Sequence, residues 1–199
     1  MRLTDELRVN VPLHKTWPML LDVPRVAQAL PGASLQADPV QGEYRGQMKV
    51  KLGPVTAQYD GVAALQDVDD DEHVASFRVQ GREARGQGTA EATITINARE
   101  DAGATRVLVD TELNVTGRQA QLGRGIMEEV ASGVLKEFAC RLERAITSEA
   151  NGAGGGPRAG GEDVFDAGAA VYRPLLERAA ILLAGVIAGL GLGRLVWRR

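Results

Sequence analysis

The spacing of apolar side chains along the first 148 residues changes between a period of about two and a period of about four. From Tyr44 to Leu52, apolar or small side chains alternate with charged and amide side chains, as in a strand that buries one face. The same alternation recurs at 55–65, 74–81, 85–99 and 106–117. Glycine, proline and aspartate separate these segments, as turns require. The pattern therefore predicts an antiparallel meander, and a further strand is predicted over 3–11.

Helical patterns lie on both sides of this meander. Two short helices are predicted over 12–21 and 22–30, the second capped by Asp22 and ended by Pro31 and Gly32. Toward the end of the segment, apolar residues recur every four positions from Leu122 to Ile146, which predicts one amphipathic helix over 119–148, about 45 Å long. The fold class indicated is α+β, with a curved antiparallel sheet wrapped around this long helix.

The inward positions of the predicted strands carry many small residues. These either let the helix approach closely or leave space for a ligand, and a close-packed core with glycines at bends remains an equal alternative. The ligand-lining residues predicted from the inward periodicity are Trp17, Leu20, Tyr44, Met48, Val50, Tyr59, Phe77, Gly86, Gly88, Ala90, Leu113, Val115, Leu122, Ile126, Met127, Val130 and Val134.

Composition divides the chain into three parts. Residues 1–148 form the predicted ligand-binding domain, and residues 149–163 contain six glycines and no large apolar side chain, which indicates a flexible linker. Residues 164–199 form a tail in which 179–193 carry no charge. A membrane-anchoring helix is favoured over a buried one, because a helix apolar on every face needs burial on every side. The predicted membrane contacts are Ile181, Leu182, Leu183, Val186, Ile187, Leu190, Leu192, Leu195, Val196 and Trp197.

Charge and chemistry narrow the classes of function. The net charge is −3, and the chain has two histidines and one cysteine. An acidic chain with few aromatic residues argues against nucleic acid as a partner, and a single cysteine excludes an internal disulfide and a multi-cysteine metal site. No spacing typical of a catalytic triad is visible, so we expect no catalytic residue and no metal. The charged first residues do not fit a signal peptide, so the domain is expected in the cytoplasm.

Several short stretches together resemble a known family. The order of elements is similar to the helix-grip fold of the START/Bet v1-like superfamily (SRPBCC, polyketide cyclase-like). Within it, residues 1–148 resemble the CoxG family of carbon monoxide dehydrogenase subunits. The stretches that carry this resemblance are 30–33, 50–55, 59–61, 86–88 and 115–123, together with Phe138.

The resemblance implies a non-catalytic accessory protein of a cytoplasmic molybdenum hydroxylase of the carbon monoxide dehydrogenase type. It further implies a hydrophobic ligand, with a respiratory isoprenoid quinone such as menaquinone as the candidate, and no metal or covalent cofactor. The expected location is the cytoplasmic face of the cell membrane, where the protein would couple the enzyme to the membrane quinone pool. Two alternatives stay open: a purely structural anchor or assembly factor without ligand, and an enzyme similar to polyketide cyclases and aromatases.

Overall fold

A computed structural model of the chain describes residues 1–36, 39–52, 55–86, 88–150 and 165–166. Within these residues, one long strand and two short helices come first, a meander follows, and a long helix closes the domain. The elements are β1 (Arg2–Val9), α1 (Leu13–Leu21), α2 (Val23–Ala29), β2 (Ala33–Leu35), β3 (Glu43–Leu52), β4 (Val55–Asp69), β5 (Val74–Glu83), β6 (Thr89–Asp101), β7 (Ala104–Val115), α3 (Arg124–Ala150) and β8 (Phe165–Asp166).

The strands form one curved sheet in the order β1-β7-β6-β5-β4-β3-β2. All neighbours along this order are antiparallel, and β8 pairs in parallel with β3 at Val50 and Lys51. The α+β helix-grip architecture predicted from the sequence is confirmed. The strands β2 and β8 were not predicted, because segments of three and two residues are too short to show a period.

The helix boundaries follow from local chemistry. The Asp22 carboxylate accepts a hydrogen bond of 3.1 Å from the backbone N–H of Arg25 and caps α2, as predicted. The long helix was predicted to begin at residue 119, but α3 begins at Arg124 because Arg118–Gln121 form a 3₁₀ turn. Its 27 residues make it about 40 Å long.

Polar contacts hold α3 alongside β1, and the two elements run in the same direction. The Arg124 guanidinium donates to the carbonyl oxygen of Arg2 at 3.3 Å. Further along, the Asn10 backbone and side-chain N–H groups both donate to one Glu143 carboxylate oxygen at 3.1 Å. The start of α3 therefore lies at the end of the sheet where β1 begins and β7 ends. We call this the open end of the sheet.

The packed core lies at the opposite end. There the C-terminal half of α3 meets β1, β7, α1 and α2, and the side chains of Val9, Val107 and Leu142 are fully buried. Trp17 and Phe138 complete the same cluster. Because side chains in such a core are closely packed, shortening one of them would leave a cavity.

The start of β6 was predicted wrongly. The strand predicted over 85–99 begins at Thr89, and residues 84–86 form the turn that follows β5. Gly86, predicted to point inward from a strand, is exposed in this turn. The turn escaped prediction because its glycines also fit the alternation of small residues on the inward positions of the strand.

Most of the predicted linker and tail lies outside the described residues. The structure describes only 149–150 and 165–166 of the segments 149–163 and 164–199, so the predicted membrane contacts from Ile181 to Trp197 stay a prediction. Of the helices that are described, none combines the length and apolar character needed to cross a membrane.

Replacing Leu142 by alanine should lower the free energy of unfolding by about 2–5 kcal/mol, because it opens a cavity in the packed core. Leu108→Ala is the matched control, since the Leu108 side chain is 41% exposed on the outer face of β7, and it should cost less than about 0.5 kcal/mol. Chemical denaturation of the full-length protein in detergent measures both. Equal losses would contradict the placement of the core.

Candidate functional site

The inner face of the sheet changes from closed to half-open along its central strands. On β7, Val107 and Val109 are 0% and 5% exposed, whereas Leu113 and Val115, further along the same inward register, are half-buried. The same change occurs along β5 and β6. Because these half-buried positions remain apolar, the sheet presents a concave apolar surface that the core side chains do not cover.

The N-terminal half of α3 faces this surface. The helix packs most closely on β1, α1 and α2 rather than on β3–β6. Val130 and Val134 of α3 are half-buried, whereas Phe138 and Leu142, one and two turns later, are buried. We call the space between the open inner face of β3–β7 and residues 122–134 the inner cleft.

The structure brings most of the predicted lining residues to this cleft. The half-buried members on inward strand positions, on α3 or just before it are Tyr44, Met48, Val50, Tyr59, Phe77, Ala90, Leu113, Val115, Leu122, Val130 and Val134. Met127 is buried, and Ile126 is 41% exposed at the start of α3. Trp17 and Leu20 lie in the packed core. That any of these residues contacts a ligand stays a prediction.

Two inward glycines serve the sheet itself. A Cβ atom built on Gly46 would lie 2.4 Å from the carbonyl oxygen of Ser34, and one on Gly61 would lie 2.1 Å from that of Gln80. Both oxygens belong to neighbouring strands. These glycines therefore allow adjacent strands to approach closely. The sequence had suggested that small inward residues make room for the long helix or for a ligand, and neither reason applies to these two glycines.

A separate groove of about 670 Å³ lies on the outer face of the sheet. Its side chains come mainly from outward positions, among them Arg78, Gln80, Glu91 and Glu112, and Leu113 is the one residue it shares with the predicted lining. A polar, shallow groove of this kind offers little apolar surface to an oily ligand. The inner cleft is therefore the better candidate for a hydrophobic ligand.

Three polar side chains lie at the open end of the inner cleft. Tyr59 and Glu83 are direct neighbours across β4 and β5 on inward positions. The Gln119 side chain, from the 3₁₀ turn, donates from Nε2 to Glu83 Oε1 at 2.8 Å and is only 3% exposed. We call these residues the Tyr59–Glu83–Gln119 cluster.

Glycine backbones enclose this cluster. A Cβ atom on Gly86 would lie 2.1 Å from Glu83 Oε2, and one on Gly88 would lie 3.1 Å from Gln119 Oε1. Gly117, whose φ is +81°, approaches Gly88 so closely that its Cβ atom would lie 2.8 Å from the Gly88 Cα. The loop after β5 and the segment after β7 are thus pressed together over the carboxylate and the carboxamide.

The surroundings of Tyr59 keep its hydroxyl group protonated. Burial, and secondarily the Glu83 carboxylate, raise the pKa of the Tyr59 phenol above its usual value. The hydroxyl therefore stays protonated at neutral pH and can both donate and accept. Sequence reasoning placed Tyr59 inward but missed Glu83 and Gln119, since a charged and an amide residue near strand ends are normally solvent-exposed.

Metal chemistry finds no support in the described part of the chain, where no group of three or more histidine, cysteine, aspartate or glutamate side chains is placed to hold an ion. What the described cleft offers is apolar area with one polar cluster at its end. Such an arrangement suits the binding of an amphipathic molecule.

Comparison with known families agrees with this geometry. The model of the CoxG family of carbon monoxide dehydrogenase subunits matches residues 6–147. The chain belongs to this family. Three of the stretches that carry the resemblance in sequence, those that contain Tyr59, Gly86 and Gly117, converge in the structure on the Tyr59–Glu83–Gln119 cluster. No curated protein matches the chain in sequence.

Solved structures confirm the fold. A conserved protein from Geobacillus kaustophilus is similar at 17% identity with a TM-score of 0.65, over 75% of this chain and 97% of its own. The ZhuI aromatase/cyclase from Streptomyces sp. R1128 (15% identity, TM-score 0.52, 78% of this chain and 99% of its own) and a START superfamily protein from Mycobacterium smegmatis (12%, 0.52, 74% and 98%) share the architecture. At such identities these likenesses establish the fold alone. The CoxG family and the START-like fold suggest a hydrophobic-ligand-binding accessory protein.

Gly117→Ala should lower the free energy of unfolding more than Gly103→Ala. Gly103 has a φ of +80°, and a Cβ atom there would meet nothing within 4 Å, so both variants carry the same left-handed strain of about 1–2 kcal/mol. Only Gly117→Ala adds the clash with Gly88, which should cost about 1–3 kcal/mol more. Thermal or chemical unfolding measures the difference. If the two losses are equal, the close contact between the two segments is absent in solution.

Proposed function

We propose that this protein is a non-catalytic, membrane-tethered accessory protein of a molybdenum hydroxylase of the carbon monoxide dehydrogenase type. In this proposal the inner cleft binds a hydrophobic ligand, a respiratory quinone such as menaquinone. The protein would thereby couple the enzyme to the membrane quinone pool from the cytoplasmic face of the membrane. The observation that carries the proposal is the apolar inner face, which opens along β5, β6 and β7 although the opposite end of the same strands is fully packed.

Apolar burial would supply most of the affinity. Each buried CH₂ group contributes about 0.8 kcal/mol, so one five-carbon isoprenoid unit contributes roughly 3–4 kcal/mol before the cost of ordering the tail. The inward side chains of β3–β7 offer such a surface, including Met48, Phe77 and Leu113. The ligand would therefore be held without charged contacts along most of its length.

The position of β8 supports a tether at the open end. Phe165 and Asp166 pair with Val50 and Lys51 near the end of β3, which lies on the same side as Tyr59 and the start of β6. A chain that leaves the sheet here would bring the predicted membrane segment close to the entrance of the inner cleft. The tether would keep the cleft at a high effective concentration near the bilayer, which would favour uptake of the ligand from the lipid.

Basic side chains at the open end support the same orientation. Arg82, Arg85 and Arg118 are exposed near the turn after β5 and the 3₁₀ turn. Each basic group close to an anionic bilayer surface contributes about 1 kcal/mol of attraction. The open end would therefore face the membrane, and the packed end would face the cytoplasm.

The aromatase/cyclase similarity suggests an alternative activity. A cyclase would need several polar groups inside the cleft to position and protonate its substrate. Away from the packed end, the strands of the described inner face carry a larger number of apolar side chains and only these polar ones: Asp5, Tyr44, Tyr59, Glu83 and Thr111. We therefore favour binding over catalysis.

Full-length protein isolated in mild detergent from quinone-producing cells should contain bound isoprenoid quinone, detected by mass spectrometry of a solvent extract. Ala90→Phe should lose most of this quinone, because Ala90 is half-buried on the inward face of β6. Glu91→Phe is the matched control, since the neighbouring side chain is exposed on the outer face, and it should retain the quinone. Extracts without quinone from the unaltered protein would favour a purely structural anchor.

Deleting residues 151–199 should release the protein from the membrane. The full-length chain should sediment with membranes in cell fractionation, and a chain that ends at residue 150 should stay in the supernatant. The truncated chain should still fold, because the described core lies wholly within residues 1–150. If both forms fractionate alike, the tail is not the membrane anchor.

A further inference from the structure

The hydrogen-bonding groups of the Tyr59–Glu83–Gln119 cluster are unevenly matched. The Gln119 amide orientation is fixed by its partner, because only the NH₂ group can donate to Glu83 Oε1, at 2.8 Å. The carboxamide oxygen must therefore point away from Glu83. This oxygen is buried and has no hydrogen-bond donor among the described residues.

A second acceptor of the cluster is also unfilled. Of the two Glu83 carboxylate oxygens, Oε1 accepts from Gln119, and no described group donates a hydrogen bond to Oε2. Against these two acceptors, the cluster supplies one further donor, the Tyr59 hydroxyl. It therefore has a surplus of acceptors, and the buried one, Gln119 Oε1, is costly to leave without a donor.

Resting on the function proposed above, we propose that the Tyr59–Glu83–Gln119 cluster is the head-group subsite of the inner cleft and selects ligands whose ring carries hydrogen-bond-donating hydroxyl groups. A hydroquinone has two such hydroxyls, whereas the corresponding quinone has only carbonyl acceptors. The cluster would therefore hold the reduced ring more tightly than the oxidised ring. No electron or proton is transferred in this step, and the preference is one of binding alone.

The charge of Glu83 narrows the ligand class further. A carboxylate beside the head group repels carboxylate and phosphate head groups, which argues against fatty acids and phospholipids as the preferred occupants. The exposed Arg82, Arg85 and Arg118 at the same end disfavour a cationic head group on its approach. A neutral ring with hydroxyl groups satisfies both conditions.

The test compares three ring probes with the same short prenyl tail. They are a naphthoquinone, its hydroquinone kept reduced under anaerobic conditions, and the dimethyl ether of that hydroquinone, which keeps the ring shape but cannot donate. Equilibrium dialysis against the full-length protein in detergent measures the three dissociation constants. We expect the hydroquinone to bind about tenfold more tightly than either other probe, the effect of one additional hydrogen bond to a charged acceptor.

Glu83→Gln assigns the preference to the cluster, because it replaces an acceptor-only group by one that can also donate. The ratio of quinone to hydroquinone dissociation constants should fall to about one or below. Glu91→Gln, the same substitution at an exposed position on the outer face, should leave the ratio unchanged. Comparison of the hydroquinone with its ether in the unaltered protein tests the donor requirement even if Glu83→Gln does not fold.

The outcomes separate this inference from the function on which it rests. If all three probes bind equally, the head-group selection is wrong and the hydrophobic-ligand function stands. A preference that survives Glu83→Gln places the subsite elsewhere. If no probe binds, the proposed function itself fails, and the selection falls with it.

Discussion

The packing of the C-terminal half of α3 against the closed end of the sheet is the constraint on which the rest of the structure depends. Leu142 is buried among β1 and β7 side chains, and Glu143 accepts hydrogen bonds from Asn10. These contacts fix the position and direction of the helix. Because the sheet is curved, a straight helix held against β1 and the closed end stands away from the central strands toward the open end. The inner cleft therefore follows from how the core is built.

The contact between α3 and β1 limits how far the helix can depart. Near the middle of the helix, the Ser132 hydroxyl donates to the inward Asp5 carboxylate, and near its start Arg124 contacts Arg2. The helix is therefore attached to the β1 edge along its length and stands away only from the central strands. The cleft is an opening between fixed walls, and a ligand would enter it without displacing the core.

The sequence predicted those features that depend on periodicity and local turns. The meander, the capping of α2 by Asp22 and the long amphipathic helix could be recognised because each repeats a local pattern. Gly86 and the start of β6 were misplaced, since glycines fit an inward strand position as well as a turn. Glu83 and Gln119 could not have been found this way, because their burial depends on Gly88 and Gly117, which come together only in the folded sheet.

This long-range contact also gives a physical meaning to the stretches that identify the family. The glycines at 86, 88 and 117 contribute no side chain to a ligand, and their effect is to let two backbone segments close over one carboxylate and one carboxamide. An arrangement that serves stability alone would place apolar side chains there, since burying an unpartnered amide oxygen is unfavourable. The chain instead keeps a polar cluster at the end of an apolar cleft, and this is the observation on which the proposed head-group subsite rests.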